Sequence, residues 1–481
     1  MTREFDRIFI DGQWCSPHSS RRIEVVCPHT EQVIAAVPDG DAKDMDRAVG
    51  AARLAFDDGE WPTLPLPERI AAVARLATAY ERRIPRIADV ITAELGTPVA
   101  TCRLMQATAA WAGLQAFINI AQEFEWDATR PGATHPSVRV RREPVGVVAA
   151  IVPWNVPQLA AISKIAPALL AGCTVVLKPA PETPLDSYEL FEAVKEAGFP
   201  PGVVNLVPAG RETGEELVRN AGVDKVAFTG STVAGRRIAS ICGEQLKRCS
   251  LELGGKSAAV ILDDADLALT MEGLKTASFL NSGQACTNQT RILVSRQKYS
   301  NTVEAVVECV RSMRVGDPRD PVTEIGPMVS QRHQERIQGY IKLGEAEGAK
   351  IAIGGHTTPA EHDAGWYVQP TVFINAENGM RICQEEIFGP VVAVIPYDGV
   401  EDAVRQANDS QYGLAGSVWT TDRTAGEAVA KQIRTGIVGI NDFTPDFMAP
   451  FGGYKNSGIG RELGPEGLAA YTELKTVYPT F

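Results

Sequence analysis

Cys286 stands in the stretch Phe279-Leu280-Asn281-Ser282-Gly283-Gln284-Ala285-Cys286-Thr287, between an apolar helical run over residues 267–280 and a β-type run over 291–295. Its small and polar neighbours predict an approachable thiol. A thiol attacks an electrophile as the thiolate, a form that apolar burial disfavours. The competing reading of any single cysteine is a small buried hydrophobe. A second reactive group stands upstream: Glu252 ends a β-type run over 248–253, between Leu251 and Leu253, and is followed by Gly254-Gly255-Lys256. Apolar flanks desolvate a carboxylate and raise its pKa toward the range in which it serves as a general base at neutral pH. The alternative for Glu252 is a strand-end carboxylate satisfied by backbone amides.

The elements that must position these groups are legible from residue 146 onward. Short β-type runs at 145–152, 174–178, 203–207 and 225–228 alternate with amphipathic helical runs near 158–170, 184–197, 213–220 and 233–242. That alternation predicts a parallel α/β sheet, with a ligand site at the carboxyl ends of its strands. Pro153-Trp154-Asn155, Lys178-Pro179, Gly210 and the run from Thr229 through Gly230 and Ser231 to Gly235 all fall at such ends. The turn from Gly230 to Gly235 leads into a helix whose first amides can hold a pyrophosphate. It lacks the G-x-G-x-x-G spacing, and a tight strand-to-helix turn is the alternative. Lys178 can pair with a phosphate or a ribose hydroxyl, or be solvated; Asn155 can be a turn asparagine.

Ahead of this unit, β-type runs at 7–10, 22–26 and 33–37 predict a small β element. Helices follow, one capped by Asp41 and running to about 58, one opened by Pro67 with Ile70, Val73, Leu76 and Ala77 on one face, and a third region over 97–121. Beyond Cys286 a second α/β half is expected from helical runs at 298–313 and 331–347 and β-type runs at 350–353, 368–374 and 391–396. The segments 436–441 and 451–460 are expected to return to the mouth of the site.

The chain has 481 residues, 44% hydrophobic and 22% charged, enough for two or three domains with cores of their own. Its net charge of -12, without a Lys/Arg-rich run, argues against nucleic acid. Nine scattered cysteines without Cys-x-x-Cys or zinc-like Cys/His spacing predict a reduced intracellular protein with no metal site. All but Cys286 read as structural. The first seven residues are charged, and no run of eighteen apolar residues is present, so no signal peptide and no membrane partner is expected and the cytoplasm is the default location.

Seven motifs in order and spacing resemble those of the aldehyde dehydrogenase superfamily over essentially the whole chain: Pro153-Trp154-Asn155, Lys178-Pro179, Phe228-Thr229-Gly230-Ser231-Thr232, Leu251-Glu252-Leu253-Gly254-Gly255-Lys256, Gly283-Gln284-Ala285-Cys286, Glu385-Glu386-Ile387-Phe388-Gly389-Pro390 and Pro450-Phe451-Gly452-Gly453-Tyr454-Lys455. The resemblance implies a Rossmann-like parallel-sheet cofactor domain (residues 1–125 and 145–253), a second α/β catalytic domain (254–462) and a small β oligomerisation element (126–144 and 463–481). It implies oxidation of an aldehyde to the acid, with Cys286 as nucleophile, Asn155 and the Cys286 amide holding the oxyanion, and Glu252 activating water. Lys178 and Glu386 are implied ligands of the two riboses, Ser231 and Trp154 of the pyrophosphate, and Phe388 lies near the nicotinamide. Ile151, Pro153, Gly210, Gly230, Gly235 and Leu253 complete the implied cofactor surface.

Where many NAD-preferring relatives have a glutamate three positions after Lys178, this chain has Pro181, with Glu182 next. NAD is the expected cofactor and NADP the alternative. The implied aldehyde tunnel carries Val156, Ala160, Ser163 and Leu280, smaller than the residues of relatives that act on small aldehydes. A medium to bulky apolar or aromatic aldehyde is therefore expected, and no arginine there suits a semialdehyde. The strands expected at 137–142 and 472–479 imply a homodimer or homotetramer. The alternatives are an acylating, coenzyme A-dependent enzyme, a semialdehyde dehydrogenase, and a catalytically silent binding or structural homologue.

Overall fold

Val147–Ile151, Val-Val-Ala-Ala-Ile, is buried at every position, as a strand covered on both faces must be. In the computed structural model, which describes residues 3–359 and 364–478, it pairs in parallel with Thr174–Lys178 on one side and Lys225–Thr229 on the other. Val204–Leu206 and Arg248–Glu252 extend the sheet, also in parallel. Its two edges are antiparallel: Gly458–Ile459 beside Arg248–Glu252, and the hairpin of Ile8–Ile10 and Gln13–Cys15 beyond Val204–Leu206.

Successive residues of a strand point to opposite faces, and two cores result. Val148, Ala150, Val175 and Leu177 pack with the helices Leu66–Glu81, Ala109–Glu123, Pro157–Ala171 and Leu185–Ala197. Val147, Ala149, Ile151 and Val176 pack with Ala42–Asp57, Arg211–Arg219 and Thr232–Gln245. Asp41 caps the first of these helices as expected, accepting from the amides of Lys43 and Asp44.

The second sheet has the order Lys350–Gly355, Gln369–Ile374, Val391–Tyr397, Arg291–Ser295, Ala258–Ile261, Ala415–Trp419 and Ile437–Ile440, parallel except for its first strand. Ala258–Ile261 and Ala415–Trp419 were not expected from sequence, yet both are central and fully buried. Ile437–Ile440 is an edge strand of this sheet. The region 97–121 is not one helix: a π-helical turn, Cys102–Thr108, precedes Ala109–Glu123. A third sheet pairs Ser137–Pro144 with Asp127–Pro131 and with Thr472–Val477, the strands implied for oligomerisation; Pro479 lies outside the described residues.

Gly458–Ile459 and the helix Gly464–Ala469 leave the second half of the chain and pack with the first, through Leu463, Leu468 and Tyr471. Among the described residues no helix is long and apolar enough to cross a membrane, no group of side chains has the makings of a metal site, and all nine cysteines are free.

One buried acid pair sets a pH dependence of stability. Both Glu94 oxygens cap the helix Leu185–Ala197, accepting from the Leu185 and Asp186 amides at 2.8 and 2.9 Å, while Asp186 accepts from Gln158 Nε2 at 2.5 Å. Burial raises both carboxyls, Asp186 to about 7, so the folded protein binds a proton that the unfolded chain releases near 4. The associated stability is present in acid and lost as pH rises from about 4 through about 7. Asp186→Asn, which keeps an acceptor for Gln158, is expected to reduce this decline; thermal midpoints of both proteins across that range measure it.

Candidate active site

The helix Leu267–Phe279 ends at a hook. Asn281, Ser282 and Gly283 take φ of 54°, 57° and 81°, three left-handed residues in succession. Only glycine fits the third, since a Cβ there would overlap the Gly389 carbonyl. The hook is held from outside: Thr97 Oγ1 donates to Asn281 Oδ1, the Gly326 amide to Ser282 Oγ at 2.8 Å, and the Val329 amide to Gln284 Oε1 at 3.0 Å. The chain then delivers Cys286 against the end of the Glu252 strand, where Gly255 leaves no room for a Cβ beside the Cys286 carbonyl.

A cleft of about 410 Å³ opens over Cys286. The carboxyl ends of the first sheet line it with Pro153, Trp154, Asn155, Gly230, Ser231, Glu252 and Leu253; the second half contributes Cys286, Glu386 and Phe388. Ten of the residues expected from sequence thus converge. Ile151, Lys178, Gly210 and Gly235 are not among the residues that line it. Ile151 belongs to the core, and Gly235 lets the helix Thr232–Gln245 seat against Leu253. Lys178 is buried, donating to the carbonyls of Pro179 and Ala209 at 2.9 and 2.8 Å, and burial lowers it to about 8. Gly210 starts the helix Arg211–Arg219 and donates to Asp39 at 3.0 Å.

The electrostatics correct one expectation. The Cys286 residue is half-buried, but its thiol is not in polar surroundings: burial, then Glu386 and Glu252, pushes it up to about 12. Glu252 is 3% exposed, and neither of its oxygens has a hydrogen-bond partner among the described residues, which excludes the satisfied strand-end carboxylate. Burial, reinforced by Glu462, raises it well above the usual carboxylate range, while Lys164 and Arg461 pull the other way. Lys164 itself donates to Glu462 at 2.6 Å and to Thr229 at 2.7 Å, and Ser163 donates to Glu462 at 3.0 Å.

Asn155 Nδ2 donates to the Gln284 carbonyl at 2.9 Å, which aims one of its two hydrogens along the nucleophile loop and leaves the other for a ligand. Glu386 accepts from the Gly255 amide at 2.9 Å through Oε1. Ser231 caps the helix Thr232–Gln245, accepting from the Ala234 amide at 3.3 Å, so that this helix opens toward the cleft.

Sequence reasoning missed one wall, Val329, Ser330, Arg332, His333 and Arg336. Ser330 caps the helix Gln331–Ala346, and this Ser cap ahead of a basic first turn was the available signal. The His333 ring, lowered to about 4 by burial and hence neutral, packs 5.3 Å from Trp154 and holds the Phe388 carbonyl at 2.7 Å through Nε2. A carbonyl only accepts, so Nε2 carries the proton. Arg336 donates to the carbonyls of Glu386 and Ile387 at 2.6 and 3.0 Å, fixing the segment that carries both expected cofactor residues. Glu182, named in the sequence for its bearing on cofactor choice, also lines the cleft.

Residues 14–477 match the model of the aldehyde dehydrogenase family. A geranial dehydrogenase of Castellaniella defragrans is 47% identical over 478 residues, covering 99% of each chain. Among solved structures, a Mycobacterium tuberculosis aldehyde dehydrogenase complexed with NAD+ superposes with a TM-score of 0.98 at 48% identity, covering 100% of this chain and 99% of that one. A mutant aldehyde dehydrogenase C of Pseudomonas syringae, complexed with NAD+ and octanal, superposes with a TM-score of 0.95 at 37% identity, covering 98% and 96%. A thiol, a desolvated carboxylate and an amide donor share one cleft, and the family match with the end-to-end likeness to these proteins establishes that the chain belongs to the aldehyde dehydrogenase family.

Proposed function

We propose that this chain oxidises a medium to bulky apolar or aromatic aldehyde to the carboxylic acid, with NAD as hydride acceptor and a thioester on Cys286 as intermediate. The observation that carries the reading is Glu252, buried with both oxygens unpaired in the cleft that holds Cys286. The Cys286 thiol gives its proton to solvent as Sγ adds to the aldehyde carbon. The oxyanion is held by the free Nδ2 hydrogen of Asn155 and by the Cys286 amide. When bound, the nicotinamide cofactor supplies the hydride acceptor. Glu252 then takes a proton from water, which attacks the thioester, releasing the carboxylate and the thiol.

The cleft suits that cofactor. Gly230 and Ser231 at the helix start, with Trp154, suit a pyrophosphate and Glu386 suits a ribose hydroxyl; Lys178, off the cleft wall and bonded to two carbonyls, keeps one N–H for the second ribose. Phe388 and Pro153 offer apolar surface, and Ile151, Gly210, Gly235 and Leu253 shape the floor. Glu182 on the wall disfavours a 2′-phosphate, which supports NAD over NADP. The NAD+ complexes of the structural relatives agree. Small side chains at Val156, Ala160 and Leu280, with the likeness to the geranial dehydrogenase and to the octanal complex, support the substrate class. Residues 1–125 and 145–253 form our proposed cofactor domain, 254–462 the catalytic domain, and 126–144 with 463–481 the oligomerisation element. The half-exposed strand Thr472–Val477, with Leu474 outward, is our proposed subunit contact in a dimer or tetramer, and the free cysteines support the cytoplasm.

Reduced-nicotinamide absorbance with aldehyde and NAD is expected for the native protein and absent for Cys286→Ala. A strict requirement for coenzyme A would refute the hydrolytic reading. Glu252→Gln is expected to lower kcat by about 10²–10³-fold while keeping a single-turnover burst. Because the Glu252 pKa is raised, its base form accumulates only as pH rises. We therefore expect kcat to climb as pH rises above the ordinary carboxylate range, a limb that Glu252→Gln flattens. Across a chain-length series that includes geranial and benzaldehyde, kcat/KM is expected to favour the larger aldehydes, and a maximum at acetaldehyde would exclude the proposed class.

A further inference from the structure

The π-helical turn Cys102–Thr108 interrupts the helical layer beside the site. Such turns are rare and are found frequently at functional sites. Gln106, 2% exposed, lies in this one, and its Nε2 donates to the backbone carbonyl of Asn155 at 2.8 Å. The same carbonyl accepts from Asn281 Nδ2 at 2.9 Å. Gln106 Oε1 is buried without a partner among the described residues. The amide cannot be turned over, because a carbonyl only accepts. A buried amide with half its capacity unmet is less stable there than an apolar side chain of the same size. What the polar side chain achieves is the single bond to Asn155.

We propose that Gln106 is a positioning residue for the oxyanion donor. The inference rests on the role proposed above for Asn155. Gln106 and Asn281 together fix the Asn155 peptide, from which Nδ2 reaches both the Gln284 carbonyl and the developing oxyanion. A small rotation of that peptide leaves the first bond intact and swings the second hydrogen off the oxyanion. The loss then falls on the step that places charge on oxygen, not on cofactor binding or on thiol reactivity.

Two variants test this. Gln106→Met keeps the size and removes the donor. Gln106→Glu places a carboxylate against the carbonyl at high pH and a donating acid at low pH. For each, kcat and KM, cofactor affinity by quenching of tryptophan fluorescence, Cys286 alkylation by iodoacetamide and the thermal midpoint are measured. Alkylation needs the thiol but forms no oxyanion. Gln106→Met is expected to lose about ten-fold in kcat, with KM, cofactor affinity and alkylation rate within about two-fold of the native protein. Gln106→Glu is expected to regain activity relative to the native protein as pH falls. An unchanged kcat in Gln106→Met overturns the proposal. So does a parallel fall of every quantity in both variants without pH dependence, the mark of a purely structural residue. Native protein without turnover counts instead against the proposed function, and it is measured first.

Discussion

Three left-handed residues in a row, Asn281 to Gly283, are the constraint on which the site depends. Each side-chain-bearing residue in that region is strained by of order 1–2 kcal/mol, so the hook persists only where its surroundings over-determine it. They do so from three directions: Thr97 before the π turn, Gly326 and Val329 ahead of the Gln331–Ala346 helix, and Gly389 pressed against Gly283. The position of Cys286 is therefore a property of the whole molecule, not of its loop. The reach of Asn155 follows from the same knot, since Asn281 holds its backbone and Gln284 its side chain.

Packing that close also sets the electrostatics. Glu252 and Glu386 approach one thiol from opposite halves of the chain, and both carboxyls are raised by burial, as the thiol is. The Lys164–Glu462 pair lies behind Glu252, fully buried on the lysine side, and gives a second buried carboxylate the partner that burial demands. His333 stays neutral in the same dry wall, so it serves as a hydrogen-bond donor and an aromatic surface rather than as a cation.

Locally determined features were legible in the sequence. Thr174–Lys178 has the expected ends, Asp41 caps its helix, and the carboxyl ends of the first sheet bring Pro153, Trp154, Asn155, Gly230 and Ser231 to the cleft, though not Lys178, Gly210 or Gly235. What failed is non-local. Ala258–Ile261 and Ala415–Trp419 are short and rich in small residues, and they lie in the middle of a sheet, so neither alternates in polarity. The π turn has no sequence signal, because it is selected by what Gln106 must reach. His333 and Arg336 read as the polar face of a surface helix until the Trp154 ring and the Glu386–Phe388 backbone arrive from elsewhere. The thiol looked approachable because its chain neighbours are polar, whereas its desolvation comes from residues distant in sequence.

The short strand Gly458–Ile459 has a consequence for how the molecule is made. It pairs with Leu251 and Glu252, closing the edge of a sheet whose other end starts at Ile8. Synthesis runs from the amino terminus, so the strand bearing Glu252 leaves the ribosome long before its edge partner does. Until nearly the whole chain has emerged, that strand presents unpaired amides and carbonyls to any neighbouring polypeptide. The sheet built from residues 8–252 is thus completed only when Gly458–Ile459, from the far half of the chain, pairs beside Leu251 and Glu252.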